Sequence, residues 1–270
     1  MILEETVDLI KQIYKINQII FPKINNVVVG LGYTCVEVYV HAHKSFLGLA
    51  SILPNVITNT DCSKINFAGE LTNYSIEELL NWSFEAPNLK KIIGIAALNA
   101  VSQHVLKFMN TYRKVENNIL KLLNIHETTK VTFIGLMKPI IRNIAETSKQ
   151  ITIIEDSISI SPEFKKFKNT NNLNQLEEND LHTDILFCTG SALINNTLES
   201  ILEKFKRKAQ KIILIGPTAS LIPDILFDYG VDIVCGMEIF DSRATMKVVQ
   251  EGGGTKLFKK YGKKYNLIKD

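Results

Sequence analysis

The chain has 270 residues, enough for one large domain or two ordinary ones. Apolar residues make up 46% and charged residues 22%, a balance that predicts a packed soluble core. The net charge of +3 is close to neutral and argues against nucleic acid as the main partner.

No run approaches the roughly 18 uncharged apolar residues of a membrane span, so no membrane partner is expected. The opening "MILEETVDLIKQIYKINQII" carries acids and an amphipathic period. A secretory signal would have a basic start and an unbroken apolar stretch, so a cytoplasmic location is expected. Cys35, Cys62, Cys188 and Cys235 stand alone, with no C-x-x-C pair to write a zinc knuckle or a redox dithiol.

In chain order, Val7, Ile10, Ile13, Ile16 and Ile20 recur at spacings of three and four, which predicts a helix over residues 4–20. Runs at Val27–Val29, Cys35–Val40 and Ser45–Ala50 surround a Gly-rich turn and predict an antiparallel meander. Ser75 with Glu78 three residues later forms a capping box that opens a helix. Further helices are expected over 88–107 and 112–124, making the first half α+β.

The rhythm then changes. "KVTFIGLM", "QITIIED", "DILFCTG", "KIILIGPT" and "VDIVCG" read as strands. They alternate with helices in "KPIIRNIAETSK", "SALINNTLESILEKFKRKA" and "SLIPDILFDYG" and with one at about 241–251. Short apolar runs alternating with helices predict a doubly wound parallel sheet. The segment 161–183 is polar and loop-rich, and the basic tail "KLFKKYGKKYNLIKD" reads as a solvated terminal helix. The expected units are 1–126 and 127–270, with the junction near Asn124–Thr129.

Ligands of open parallel sheets bind beyond the carboxyl ends of the strands. Four such ends carry small or polar residues: Gly135 to Lys138, Glu155 with Asp156, Thr189-Gly190-Ser191, and Gly216-Pro217-Thr218. The helix expected after Ser191 would aim backbone N–H groups at an anion or a carbonyl-rich ligand, with Asn195 and Asn196 close by. "GLMKPI" lacks the glycine fingerprint of a dinucleotide site, although Glu155 lies at the spacing of a ribose-binding acid. His41 and His43 share a strand face, with Glu37 on it, and could begin a metal site. Glu70, Asp61 and Asp156 are further oxygen donors that no spacing gathers. No catalytic residue can be assigned.

Several stretches together carry a resemblance: "GLGYTCVEV", "FAGELTNYSIEELLNWSFEAPNLKKIIGIAALNA", "TGSALINNTLESIL", "IGPTASLIPDILFDYGVDIVCG" and "VVQEGGG". The chain resembles, over nearly its whole length, the bacterial and archaeal family of putative heavy-metal chelation proteins. The resemblance implies an N-terminal domain like the capping domain of enolase, a Rossmann-like second domain, and a site in the cleft between them. It implies roles for Thr189, Gly190, Ala192, Asn195 and Thr197 in one block, for Gly216, Pro217 and Thr218, and for Asn99 from the first domain. Asn196 stands where the pattern leads one to expect glycine.

The expected function is binding or handling of a metal ion or metal chelate. Glu37, Asn99, Glu155, Thr189 and Asn195 would supply oxygen donors or outer contacts. The metal's identity is open, as is whether the chain catalyses anything. The alternative is an enzyme using a nucleotide-like, adenosyl-type cofactor in the second domain. The expected partner is a small-molecule or metal ligand, and a homodimer is left open.

Overall fold

The computed structural model describes residues 1–40, 44–57, 66–109, 111–116, 118–156 and 161–269. His41, His43, Asp61 and Cys62 lie outside them. The first helix, α1 (Ile2–Ile16), buries Val7, Ile10 and Ile13, as the period requires. It ends earlier than expected because the chain turns at Gln18, which has φ 53°, and this leaves Ile16 and Ile20 exposed. The meander follows as β1 (Lys23–Val29), β2 (Tyr33–Val40) and β3 (Lys44–Ser51), antiparallel in the order β1-β2-β3. After the short α2 (Pro54–Ile57) comes α3 (Ile76–Trp82). Both halves of its capping box form between Ser75 and Glu78.

The next helix, α4 (Leu89–Phe108), has Asn88 as its N-cap, and Asn88 accepts from the N–H of Lys91. It has almost no amphipathicity: Ile92, Ile93, Ile95, Leu98, Val101 and Val105 are buried on all sides of it. Such a helix must be covered all round. One side takes β2 and β3 through Val36, Val38 and Ala50. Gly48 makes this approach possible, since a Cβ there would lie 2.0 Å from the Ala96 carbonyl oxygen and 2.3 Å from the Ala100 nitrogen. Another side takes α3, where the buried Lys91 Nζ donates to the Ser83 carbonyl at 2.7 Å and ties off the end of that helix.

The helix expected over 112–124 is instead β4 (Lys114–Val115) followed by a single turn, α5 (Ile119–Leu122). Then come β5 (Val131–Ile134), α6 (Lys138–Ala145), β6 (Ile151–Ile154), β7 (Lys168–Thr170), α7 (Glu178–Leu181) and β8 (Thr183–Thr189). The single helix expected from Ser191 is two, α8 (Ser191–Ile194) and α9 (Leu198–Phe205). They are separated at Asn196, whose φ of 56° cannot continue a right-handed helix. The chain finishes with β9 (Ala209–Ile215), α10 (Asp224–Asp228), β10 (Ile233–Ile239), α11 (Ser242–Gln250), α12 (Thr255–Phe258) and β11 (Gly262–Ile268). From Gly262 onward the basic tail is therefore a strand and not a solvated helix, preceded only by the single turn of α12 and the turn Lys259–Tyr261. It pairs antiparallel with β10 and β4 and buries Tyr265, Asn266 and Leu267.

The second sheet has eight strands in the order β4-β11-β10-β9-β8-β5-β6-β7. The six from β10 to β7 are parallel, and the order reverses between β5 and β8. Phe133, Phe187 and Ile213 face one core, while Ile134, Cys188 and Leu214 face the core shared with α4. The structure is thus a mixed α/β fold with a mostly parallel sheet and a small antiparallel one. No helix among the described residues is long and apolar enough to cross a membrane.

Two expectations follow from this packing. Gly48→Ala should lower unfolding free energy in urea by about 3 kcal/mol, because backbone atoms of α4 cannot yield to the methyl group. The second concerns His104, 7% exposed, which meets the Tyr14 hydroxyl at 2.5 Å and the rings of Phe46 and Phe108. Burial pushes its pKa down to about 4. Between that value and the ordinary 6.5, the unfolded chain binds the proton and the folded chain does not. Stability therefore falls as pH drops from 6.5 towards 4, by about 3 kcal/mol in total, and levels off below. Urea titrations across this range should lose that slope in a Tyr14→Phe/His104→Phe variant.

Candidate functional site: a hydroxyl junction at the strand ends

The carboxyl ends of β8 and β9 meet the end of β3. Ser51 is the last residue of β3, and its N–H donates to Thr218 Oγ1 at 3.0 Å. Its hydroxyl lies 2.9 Å from Ser191 Oγ, and Thr218 Oγ1 donates to it at 3.2 Å. Thr189 Oγ1 donates to Ser191 Oγ at 3.4 Å and accepts from the Ser191 N–H at 3.3 Å. Four hydroxyls from three chain segments thus form one connected group. Ser51, Thr189 and Ser191 are half-buried, and Thr218 is buried.

Local backbone geometry puts them there. Gly216 has φ 128°, a left-handed conformation that glycine takes without a Cβ penalty, and the chain then enters the single turn Pro217–Ala219. Gly190 is buried with its Cα face against Ala219, which brings the two turns side by side. Ala192 fills the buried side of α8. That helix is only four residues long, so the macrodipole expected after Ser191 is not built, and the Ser191 N–H already has Thr189 as a partner.

Asn99 is fully buried on α4. Its amide donates to the carbonyls of Leu49 at 2.7 Å and Thr218 at 3.0 Å, with a longer contact to Pro217 at 3.5 Å. It bridges β3 to the turn that carries Thr218. One helical turn on, Gln103 Nε2 donates to the Ser220 carbonyl at 2.9 Å and to the Tyr265 hydroxyl at 2.7 Å. The turn 217–220 is therefore held from α4 at two points.

The remaining expected residues spread outward. Gly135 adjoins Thr189, and a Cβ on it would lie 2.9 Å from Thr189 Cγ2. Glu155, two strands from β8 and so about 10 Å across the sheet, accepts the Leu136 N–H at 2.6 Å. Asn195 is half-buried and closes α8, its N–H donating to the Ser191 carbonyl. Asn196 is exposed, and its left-handed φ is one that glycine and asparagine both tolerate. Thr197 begins α9 and is exposed.

Glu37 stands apart. It is buried on β2, where Oε2 accepts from Asn25 at 2.6 Å and Asn26 at 2.7 Å beside a bulge in the β1–β2 pairing. Register places it opposite Leu47, four positions from Ser51 and about 13 Å along the strand. Ser51 is the member that sequence reasoning missed. Its only local signal is a small polar residue ending the run "FLGLAS", and its partners are 140 and 167 positions away.

Among the described residues no group of three or more His, Cys, Asp or Glu could hold a metal ion. Burial pushes the thiols of Cys188 and Cys235 up to about 12, and burial with the nearby Glu37 charge does the same for Cys35. None of the three offers a thiolate at neutral pH. These residues do not fit a bare soft metal ion.

Comparison with known proteins gives the lineage. An uncharacterised protein of Methanocaldococcus jannaschii is 27% identical over 196 residues, 72% of each chain. A crystal structure of a DUF364-family protein of unknown function from Pyrococcus horikoshii is 22% identical, covers 100% of both chains and superposes with a TM-score of 0.76. Another from Desulfitobacterium hafniense is 19% identical, covers 96% of this chain and 98% of that one, and has a TM-score of 0.70. The profile of the DUF4213 family matches residues 16–102 and that of the DUF364 family residues 118–268, both described as "Putative heavy-metal chelation". With more than half its length matched by the second profile and its fold shared with two solved members, the chain belongs to the DUF364 family.

Proposed function

We propose that the protein binds a metal in chelated form, seating the oxygens of the chelator on the hydroxyls of Ser51, Thr189, Ser191 and Thr218. The connected hydroxyl group carries this reading. Hydroxyls donate to anionic oxygens and accept from other donors, so they suit the outside of a complex. They are neutral, and they are poor primary ligands for the heavy metals named in the family description. The chelator then supplies the metal's donors, and the protein supplies orientation and a partly dry surround.

The architecture supports a site built from two units along the lines of 1–126 and 127–270. The order of the six parallel strands is compatible with a Rossmann-like sheet, whose ligands bind at the reversal of strand order; here that reversal lies between β5 and β8, and Thr189 ends β8. The meander with its helices is compatible with an enolase-like capping unit. The family matches leave 103–117 between them, and β4 reaches from this stretch into the second sheet. A site between the units would have Ser51 as the first unit's contribution.

A second reading, a nucleotide-like cofactor, has one observation in its favour. Glu155 sits at the end of the strand beside β5, where a ribose-binding acid would stand. Its Oε2 accepts the Leu136 N–H, which commits part of its acceptor capacity to the protein.

Thermal-shift and equilibrium-dialysis measurements on the full chain with zinc citrate, zinc chloride, citrate and adenosine compounds distinguish these readings. Stabilisation by zinc citrate beyond that by either component is expected, growing as RT ln(1 + [L]/Kd), with about 2.7 kcal/mol at a hundred times Kd. Ser191→Ala and Thr218→Val should each weaken it by about tenfold, a loss of roughly 1.4 kcal/mol. A response to adenosine compounds alone would reverse the order of the two readings.

Asn99→Ala tests the support of the site. Removing the amide leaves the buried Leu49 and Thr218 carbonyls without that donor, and stability in urea should fall by about 1–3 kcal/mol. Chelate affinity should fall with it, since Thr218 is displaced. Unchanged affinity in a destabilised variant would remove Asn99 from the support of the site.

A further inference from the structure

The opposite end of the large sheet carries a different chemistry. Thr132, Thr152 and Lys168 are register partners on β5, β6 and β7, so they form one row across three adjacent strands. The next row along the same face is Ile134 and Ile154, which are core residues. The face thus changes from apolar to polar at the amino ends of the strands. Lys130 and Gln150 stand two residues before Thr132 and Thr152. Helix α7 flanks this end with Asn179 and Asp180. Together they line a cavity of about 320 Å³.

Four lysines line it, Lys130, Lys149, Lys166 and Lys168, against the single carboxylate of Asp180. That carboxylate is committed, since Lys168 Nζ lies 2.6 Å from Asp180 Oδ2. Lys149 Nζ donates to the Ala145 carbonyl at the end of α6, which uses one of its three N–H groups. Lys166 Nζ lies 5.1 Å from the Phe167 ring centre. Among the described residues, Lys130, Lys149 and Lys166 make no close ion pair, although Lys130 stands near enough to Asp180, and Lys166 to Glu163, to hold those carboxyls down. Lysines gathered along one concavity favour a multiply charged anion, which can draw several cations at once.

We propose that this cavity binds a compact phosphate-type anion carrying two or more negative charges, at a site separate from the hydroxyl junction. Its volume is at the lower end of the range for small-ligand pockets, about 300–1,000 Å³, which fits a small polyanion. Gln150 and Asn179 add amide donors among the lysines. The site lies at the amino ends of β5 to β7, and the junction lies at the carboxyl ends of β8 and β9, so each can be altered without touching the other.

The test is calorimetric titration of the full chain with inorganic pyrophosphate, at low and at physiological ionic strength. One-to-one binding is expected, weaker at the higher salt. A Lys130→Met/Lys166→Met variant, checked for folding by circular dichroism, should bind about tenfold more weakly or worse. Lys130→Gln alone serves if the double variant does not fold. Lys259→Met/Lys260→Met removes the same charge from the exposed turn between α12 and β11 and should bind as the parent does, as should Ser191→Ala. No binding by the parent chain, or equal weakening by the two lysine pairs, would overturn the proposal.

Discussion

The burial of α4 is the constraint on which the rest of the structure depends. A helix with apolar side chains all round cannot leave any face in water, and one sheet cannot cover it. The meander takes one side, α3 another, and the turns beyond β8 and β9 a third. Small residues at the contacts set how closely these approach. Gly48 lets β3 touch the backbone of α4, and Gly94 lets α3 do so, where a Cβ would lie 2.3 Å from the Ser83 nitrogen. The halves of the chain are therefore joined through a shared core. Residues from Ile2 in α1 to Leu267 in β11 belong to the same apolar cluster.

The polar groups on α4 become intelligible against that burial. Asn99 and Gln103 are one helical turn apart and so share a face. Each donates to a carbonyl of the turn 217–220, which satisfies the amide nitrogens, while among the described residues Asn99 Oδ1 and Gln103 Oε1 are buried without a hydrogen-bond partner. The consequence reaches beyond stability. Thr218 Oγ1 meets Ser51 because the same turn is held by Asn99, which also holds the Leu49 carbonyl two residues before Ser51. The hydroxyl junction is assembled by contacts that the core itself requires, without a loop that must order on its own.

This explains which parts could be read from the sequence. Capping of α3 by Ser75 is local chemistry, and β5, β6, β8, β9 and β10 carry runs of β-branched and aromatic residues, whereas β7, Lys168-Asn169-Thr170, and α7 fall in the stretch 161–183 that reads as loop. Local rules also put Thr189-Gly190-Ser191 and Gly216-Pro217-Thr218 at the ends of strands, where β8 and β9 end. Local rules failed where a distant partner decides. The lysine-rich β11 is a strand because β10 and β4 flank it, and its burial of Tyr265 and Leu267 spans too few positions to show a period. Ile16 and Ile20 continued a helical period that the chain abandons at Gln18. Ser51 and the lysine cavity are defined only by register and packing, which bring together residues with no common motif.

The same physics limits how a heavy metal can be handled here. A soft ion is held by thiolates, and the three described cysteines are buried where the thiol form is strongly favoured. Glu37, a buried carboxylate, has one oxygen engaged by two asparagine amides and lies far along its strand from the junction. The hydroxyls of the junction carry no charge with which to offset the desolvation of a cation. A chelate shifts that burden. Its own donors neutralise and coordinate the ion, and it presents to the protein carboxylate or carbonyl oxygens that serine and threonine can satisfy. On the proposed reading, selectivity resides in the shape of the complex against the turns at Gly190 and Gly216, with the affinity of the ion for protein side chains contributing little. A substitution that reshapes those turns should accordingly alter which chelators are accepted more than which metal they carry.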